Sequence, residues 1–346
     1  MAIYDVSGDS LQVAYDVSGD SLQVAYDVSG DELYGSERVP HDTSGDVYPL
    51  NNVVQYYRDS TLDAATEIDN LSDSWETFVF VTDPHGSANK QHSQAIALYL
   101  LANTDAKMIV LGGDYSASNW SKTEYDNWVA PFVESDYVDS IYAVIGNHET
   151  YGTGATEESK TSVYNDFIKD KSVTGNQTEC YYYFDDAVKR TRYMFLNTSD
   201  NGATTMSAEQ IQWITQNVQL PSSAWSLVVF GHVNLDSLDG LTTMNESNAT
   251  AIINAIKTCN GTIVGYICGH QHIDGISTTS GAFKQATLLN DRFENQNYYD
   301  GYSVTNRVAN TVTEQSISVV SFNKITKRVI IRKIGACKAT PIGYYY

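Results

Sequence analysis

Residues 78–85 read F-V-F-V-T-D-P-H, an apolar run followed at once by a carboxylate and an imidazole. Similar arrangements return four times along the chain, as L-G-G-D (111–114), G-N-H-E (146–149), F-G-H (230–232) and G-H-Q-H (269–272). Five of the seven histidines lie in these motifs, which is more than packing explains. Because the carboxyl ends of the strands in an open α/β sheet share one edge, the pattern predicts a ligand site at that edge.

Strand-like and helical segments alternate on both sides of this first strand, which predicts an α/β fold. Short apolar runs predict strands at 78–82, 108–111, 140–145, 181–185, 193–197, 227–230, 262–268, 317–322 and 328–334. Apolar residues at three- and four-residue spacing predict helices at 50–71, 93–103, 125–134 and 207–218. Ser207 is the expected N-cap of the last helix.

The composition argues against a membrane-spanning protein and against a nucleic-acid-binding protein. The chain has 346 residues, 42% of them apolar, and a formal net charge of −21. No run of 18 apolar residues is present, so we expect no membrane insertion. The negative charge argues against an extended nucleic-acid surface. The sequence begins without the pattern of a secretory signal, and its four cysteines show neither zinc nor disulfide spacing, which favours synthesis in a reducing compartment.

An 11-residue repeat opens the chain. The sequence Y-D-V-S-G-D-S-L-Q-V-A occupies residues 4–14 and again 15–25, and a third copy begins at Tyr26. Alternation of apolar and polar residues predicts strands joined by S-G-D-S turns, with a right-handed coiled coil or a disordered tail as the alternatives. The alternating apolar residues are Leu11, Val13, Tyr15 and Val17. So short a segment cannot bury this row alone, so we expect residues 1–34 to pair with a second copy or another protein.

The motifs divide the chain into three parts. Residues 1–34 hold the repeats, residues 35–76 form an acidic linker with a helix, and residues 77–346 form the domain that carries all five motifs. The charge run of the linker is most simply the solvated face of its helix.

The motif side chains are donors that suit divalent transition metals. Carboxylate, imidazole and amide oxygen suit Mn, Fe or Zn, with Mg as a further option, better than Ca, which prefers cages of oxygen atoms. Two such ions about 3.5–4 Å apart can clamp a phosphate and lower the pKa of a bound water. The two histidines of G-H-Q-H point the same way in an extended strand and can serve adjacent ions. The sequence therefore predicts a two-metal site.

Taken together, the five motifs resemble those of the calcineurin-like metallophosphoesterase family, whose pattern is D-x-H, G-D, G-N-H-[DE], G-H and G-H-x-H. The resemblance implies a four-layer α/β/β/α sandwich and metal-dependent hydrolysis of phosphomonoesters or phosphodiesters. It implies seven metal ligands: Asp83, His85 and His272 for the first ion, Asn147, His232 and His270 for the second, and Asp114 for both. It also implies that His148 is catalytic and contacts the phosphate and the leaving group, and that Glu149 orients His148.

A second resemblance concerns the setting. It rests on the 11-residue repeats, on the G-G-D form of a motif that many members write G-D-x-x-D, and on the segments T-D-P-H-G-S-A-N (82–89) and S-V-V-S-F-N-K-I-T-K-R-V (318–329). Together these features resemble phosphoesterase domains on tail proteins of phages that infect gut bacteria. This implies a virion enzyme that acts on a cell-surface phosphoester and is attached through residues 1–34. The alternatives are a catalytically silent virion protein and a cytosolic nucleotide phosphodiesterase. Loops 151–179 and 234–249 are expected to shape specificity.

Overall fold

The computed structural model describes residues 48–346 apart from 203, 239–243, 280, 293–306 and 338–341, together with the backbone of three strands before residue 48. These strands are β1 (Ile3–Tyr4), β2 (Ser10–Tyr15) and β3 (Ser21–Tyr26), and they form a small antiparallel sheet in that order. The predicted turns and the apolar side chains of the repeats lie outside the described residues, as do the acidic residues 35–47. The pairing of residues 1–34 with a partner stays a prediction.

The described part of the chain contains six α-helices and four short 3-10 helices. The α-helices are α1 (Gln55–Asp69), α2 (Gln91–Asn103), α3 (Lys122–Val133), α4 (Ala155–Phe167), α5 (Ala208–Asn217) and α6 (Glu246–Ile256). The 3-10 helices are Leu50–Asn52, Val138–Ser140, His148–Thr150 and Gln177–Glu179. Ser207 caps α5 as predicted, because its hydroxyl accepts a hydrogen bond from the Gln210 N–H. Helix α4 lies within the predicted loop 151–179, and α6 begins inside the predicted loop 234–249 and continues beyond it.

Thirteen further strands build two large sheets. They are β4 (Trp75–Val81), β5 (Ile109–Leu111), β6 (Ile141–Ala143), β7 (Thr174–Asn176), β8 (Tyr181–Asp186), β9 (Thr191–Phe195), β10 (Ser226–Phe230), β11 (Thr262–Cys268), β12 (Gly275–Thr279), β13 (Phe283–Thr287), β14 (Ser316–Asn323), β15 (Arg328–Gly335) and β16 (Ile342–Tyr345). The predicted hairpin at the end of the sequence is confirmed, since β14 pairs antiparallel with β15.

Each sheet has parallel strands next to antiparallel ones. The six-stranded sheet has the order β16-β15-β14-β4-β5-β6, with β4, β5 and β6 parallel. The seven-stranded sheet has the order β12-β13-β11-β10-β9-β8-β7, with β9, β10, β11 and β13 parallel. Because parallel strands end on the same side, the loops after β4, β5 and β6 lie together, and so do the loops after β10 and β11.

The two sheets pack face to face through aromatic side chains. Phe78 and Phe80 of β4 lie 5.1 and 6.4 Å, between ring centroids, from Phe230 of β10. Tyr142 of β6 stacks on Phe195 of β9 at 5.2 Å. Such rings exclude a large apolar area from water and gain further from their mutual geometry.

Helices cover the outer faces of both sheets. Helices α1 and α2 pack against β15 and β4 of the six-stranded sheet, and α4 packs against β6. On the other side, Ile214 of α5 and Ile252 of α6 share a core with Leu227 and Val229 of β10. The predicted four-layer α/β/β/α sandwich is confirmed. Helix α1, which lies in the segment assigned to the linker, buries Tyr57 and Ile68 in the main core. No helix in the described residues is long and apolar enough to cross a membrane.

Candidate metal centre

All five motifs come together where the two sheets meet. Asp83, Asp114 and Asn147 follow β4, β5 and β6 of the six-stranded sheet. His232 follows β10, and the G-H-Q-H pair follows β11, both in the seven-stranded sheet. The site is therefore built from the adjacent edges of both sheets.

One group of donors contains Asp83, His85 and His272. The Nε2 atom of His272 lies 3.1 Å from Asp83 Oδ1 and 3.0 Å from His85 Nε2. His85 Nε2 is 3.6 Å from the same Asp83 oxygen. The donor atoms of the three residues all lie within 4.8 Å of one another, a spacing that fits one metal ion.

Asp114 is the centre of the remaining donors. Its Oδ2 atom lies 3.0 Å from His232 Nε2, 3.7 Å from His148 Nε2 and 3.9 Å from His85 Nε2. This oxygen therefore lies near His85 of the first group and near His232 and His148, which are outside that group. The Asp114 carboxylate therefore lies between the two halves of a candidate binuclear metal site.

Asn147 and His270 complete the second half. Asn147 Oδ1 is 3.1 Å from His232 Nε2, and His270 forms a metal-sized group with Asp114 and His232. His270 Nε2 is buried and has no hydrogen-bond partner within the described part of the chain. A buried polar atom without a partner is costly, and a metal ligand bond would satisfy it.

Backbone carbonyls set the orientation of two of the histidine rings. His85 Nδ1 lies 3.1 Å from the carbonyl oxygen of Ser116, and His232 Nδ1 lies 2.8 Å from that of Gly112. A carbonyl only accepts hydrogen bonds, so the N–H of each ring is at Nδ1. In the neutral rings the lone pair is then at Nε2, which faces the carboxylates, as in histidines that bind metals.

The ligand loops have an uncommon backbone conformation. Nine non-glycine residues of the described chain have positive φ, and five of them are motif residues. They are Asp83 (53°), His85 (42°), Asp114 (56°), His270 (67°) and His272 (54°). Left-handed backbone outside glycine costs about 1–3 kcal/mol per residue and concentrates at functional sites.

The motif glycines leave room for the carboxylates. A Cβ atom on Gly269 would lie 2.2 Å from Asp83 Oδ2, and one on Gly146 would lie 2.2 Å from Asp114 Oδ1. Both distances are far below contact, so any side chain at either position would displace the carboxylate.

The two buried carboxylates of this site are stable in the ionised form only beside a positive charge. Burial alone would raise the pKa of Asp83 and of Asp114, but the adjacent His232 lowers both below their usual range. Burial would likewise lower the pKa of His232, but Asp114 and Asp83 outweigh it and raise that pKa to about 10. Burial, with the charge of His232, lowers the pKa of His270 to about 3. Either a protonated His232 or a bound cation must balance the two carboxylates.

Comparison with known proteins places this geometry in a family. Residues 76–274, more than half of the chain, match the sequence profile of the calcineurin-like phosphoesterases. The chain belongs to the calcineurin-like phosphoesterase family. No curated protein is significantly similar in sequence to this chain.

Several solved structures are similar to this calcineurin-like phosphoesterase at low sequence identity. A dimetal phosphatase from Danio rerio is similar with a TM-score of 0.53 and 14% identity, over 78% of this chain and 99% of that one. A 5'-nucleotidase from Candida albicans gives 0.42 and 16%, over 64% and 47%. A purple acid phosphatase from yellow lupin gives 0.44 and 12%, over 76% and 52%. The chain spans about half the length of the latter two proteins.

Glu149 of this phosphoesterase contacts the loop backbone and not the His148 ring. Its buried carboxylate accepts hydrogen bonds from the N–H groups of Asp114 at 2.8 Å, Tyr115 at 2.9 Å and Gly146 at 2.8 Å. That Glu149 orients His148 stays a prediction, and the three bonds act on the backbone of the ligand loops. Burial, with the charge of Asp114, raises the pKa of Glu149 to about 7.

Asp291 and Arg292 join the site although no motif pointed to them. The N–H groups of Asp291 and Arg292 donate to the carbonyl oxygens of Thr82 at 2.8 Å and Asp83 at 3.2 Å. The Arg292 guanidinium also donates to the carbonyl oxygen of His85. These contacts fix the first ligand loop through its backbone. Because a carbonyl acceptor is the same in every residue type, the sequence carries no signal for them.

Proposed function

We propose that this calcineurin-like phosphoesterase hydrolyses phosphomonoesters or phosphodiesters with two divalent metal ions bound where the sheets meet. The observation that carries the proposal is the position of Asp114, whose Oδ2 atom lies 3.0 Å from His232 Nε2 and 3.9 Å from His85 Nε2. A carboxylate so placed can touch two ions at once and supplies the anionic charge that two close dications need.

The donor set supports a definite assignment of ligands. The proposed ligands are Asp83, His85 and His272 for one ion, Asn147, His232 and His270 for the other, and Asp114 for both. Imidazole nitrogen together with carboxylate oxygen suits Mn, Fe or Zn, and Mg would be held more weakly by so many nitrogens. When bound, the ions would neutralise the phosphate charge and lower the pKa of a bound water.

His148 is the proposed catalytic residue. Its side chain is 22% exposed and its Nε2 lies 3.7 Å from Asp114 Oδ2, so the ring is at the open side of the donor cluster. From there it can donate a hydrogen bond to a phosphate oxygen and a proton to the departing ester oxygen. Its backbone N–H donates to Asp114 Oδ1 at 2.8 Å, which ties the ring to the carboxylate it serves.

The proposed setting is a phage tail, with residues 1–34 as the attachment segment. The 11-residue repeats and the resemblance of the ligand loop to phage tail phosphoesterases support it. The three antiparallel strands described in this segment would suit pairing with another chain. Mass spectrometry of purified phage particles tests this setting, and a protein found only in the cytosol of infected cells contradicts it.

The activity is tested on metal-reconstituted protein. We expect about two ions per chain by elemental analysis and turnover of a generic aryl phosphodiester or phosphomonoester. A protein that binds the ions and hydrolyses neither ester would be the silent virion protein instead. A protein that binds no transition metal would refute the proposed centre.

A further inference from the structure

Four aromatic rings form a row from the donor cluster to the surface. The ring centroids of His272 and His85 are 4.9 Å apart, those of His85 and His148 are 4.7 Å apart, and those of His148 and Tyr151 are 5.6 Å apart. The first three rings belong to the motifs. The row ends at Tyr151, which is 39% exposed and carries no role in the chemistry described above.

Tyr151 differs from the other exposed tyrosines of the described chain in its position beside the donor cluster. Most of the tyrosines in the described chain are buried or half-buried, and Tyr56 and Tyr345, which are more exposed than Tyr151, lie on α1 and β16. Tyr151 by contrast contacts the proposed catalytic histidine. An exposed aromatic ring beside a reactive group is a surface on which an apolar part of a substrate can be buried from solvent.

The backbone around Tyr151 is held on several sides. The Tyr151 carbonyl accepts a hydrogen bond from the Trp120 N–H at 3.4 Å. Just before it in the chain, the Thr150 N–H donates to the Asn147 carbonyl at 3.1 Å, and the Ser159 hydroxyl donates to the Glu149 carbonyl at 2.9 Å. The backbone that carries the Tyr151 ring is therefore held near His148 before any ligand binds, which lowers the entropy cost of using the ring.

The charge near this ring favours an uncharged ligand group. The exposed Glu158 carboxylate accepts a hydrogen bond from the indole N–H of Trp120, the residue whose backbone N–H donates to the Tyr151 carbonyl, at 2.9 Å. A second phosphate or a carboxylate on the substrate would meet this negative charge. A planar neutral ring would not, and it could stack on the tyrosine.

We propose that Tyr151 is a specificity-determining residue that stacks against a planar, uncharged ring in the leaving group of the substrate. This rests on the proposed function, which puts the leaving group beside His148. The site would then prefer nucleoside or aryl phosphoesters to esters of sugars or linear alcohols.

The test compares two non-hydrolysable ligands by calorimetry on the full-length, metal-loaded protein. One is a nucleoside 5'-methylenephosphonate, and the other is the same ribose phosphonate without its base. We expect the nucleoside compound to bind about 10-fold more tightly, a difference of about 1.4 kcal/mol, since a base stacks favourably on an aromatic side chain. Tyr151→Ala should remove this difference, and Tyr151→Phe should keep it.

Tyr345→Ala is the matched control, because it removes a more exposed tyrosine on β16 and should leave the preference intact. Equal binding of the two ligands by the wild type overturns the inference, and so does a preference that survives Tyr151→Ala. Turnover of the corresponding phosphate esters is measured in parallel. A binding preference that depends on Tyr151 without turnover of either ester would support the role of Tyr151 and refute the hydrolase.

Discussion

Asp114 and Glu149 hold each other's loops. The Glu149 carboxylate accepts a hydrogen bond from the Asp114 N–H at 2.8 Å, and the Asp114 carboxylate accepts one from the N–H of His148, the neighbour of Glu149, at 2.8 Å. Both carboxylates are buried. The loops after β5 and β6 are thus locked together by two charge-assisted hydrogen bonds, which are stronger than neutral ones.

Glu149→Gln should destabilise the fold and lower activity. The amide turns one acceptor oxygen into a donor that faces backbone N–H groups, so at least one buried N–H loses its partner at a cost of about 1–3 kcal/mol. Urea unfolding measures the loss. Glu134→Gln, an exposed change at the end of α3, is the control and should unfold like the wild type. Equal stability of both variants would contradict the role given to Glu149.

Asp114→Asn should lose metal and activity together. Asp114 is the carboxylate placed to touch both ions, so its neutralisation removes charge where two dications need it most. Elemental analysis and esterase assays measure the two losses. Asp126→Asn, on the exposed face of α3, should change neither. Full activity with two bound ions in the Asp114 variant would refute the assignment.

His148→Ala should keep its metals and lose turnover. A group that acts on the leaving group lowers kcat when removed, here by about 10²–10⁴-fold, and leaves the ligands in place. Metal content and kcat are measured on the same preparation. His92→Ala, which removes a histidine outside the motifs that lies beside Tyr57, is the control. Collapse of the metal content in His148→Ala would make His148 a ligand instead.

Asp291→Asn should change how stability depends on pH. Burial, with the charge of Glu314, raises the pKa of Asp291 from 3.8 to about 7, although Ser93, Ser316 and Arg307 act in the opposite direction. Between these two pH values the folded state binds more protons than the unfolded state, so stability falls as pH rises.

The Asp291 variant lacks this loss. Its free energy of unfolding, relative to the wild type, should rise from about pH 4 to about pH 7 and stay constant above that. Urea unfolding of both proteins at several pH values measures the difference. Parallel curves across the whole range would mean that folding does not shift the pKa of Asp291.

Deletion of residues 1–31 should leave the phosphoesterase folded and active, because every motif lies beyond residue 82. It should abolish self-association or attachment to the particle, since the apolar row of the repeats needs an outside surface. Light scattering on full-length and truncated protein measures the association. A monomer in both cases leaves attachment to another protein, and random-coil NMR signals from the repeats in the assembled particle would contradict both.

The sequence was sufficient to predict the site where an apolar strand is followed directly by a motif with metal-binding side chains. Runs such as that at 78–82 specify a buried strand, and the motif after each run carries its own donor, so the edge and its side chains could be predicted together. The donor residues meet in the structure as the motifs indicated. Which donor binds which ion stays a prediction.

Other parts of the fold carry no such signal. Helix α4 buries Ser159, Lys160 and Ser162, so its core face reads as polar and the helical period is hidden. The strands β12 and β13 carry Ser, Thr, Lys and Gln among few apolar residues. The role of Glu149 depends on backbone N–H groups, which every residue type except proline supplies.

The ligand loops come from two sheets, and this links the site to the cohesion of the domain. Asp83, Asp114 and Asn147 belong to one sheet, and His232 and His270 belong to the other. An ion held by both groups would be a cross-link between the two halves of the sandwich. It would bind the folded chain, in which the sheets are docked, better than the unfolded chain, so by mass action its binding free energy would add to the folding free energy. An ion bound to residues of one sheet alone would not stabilise the packing of that sheet against the other.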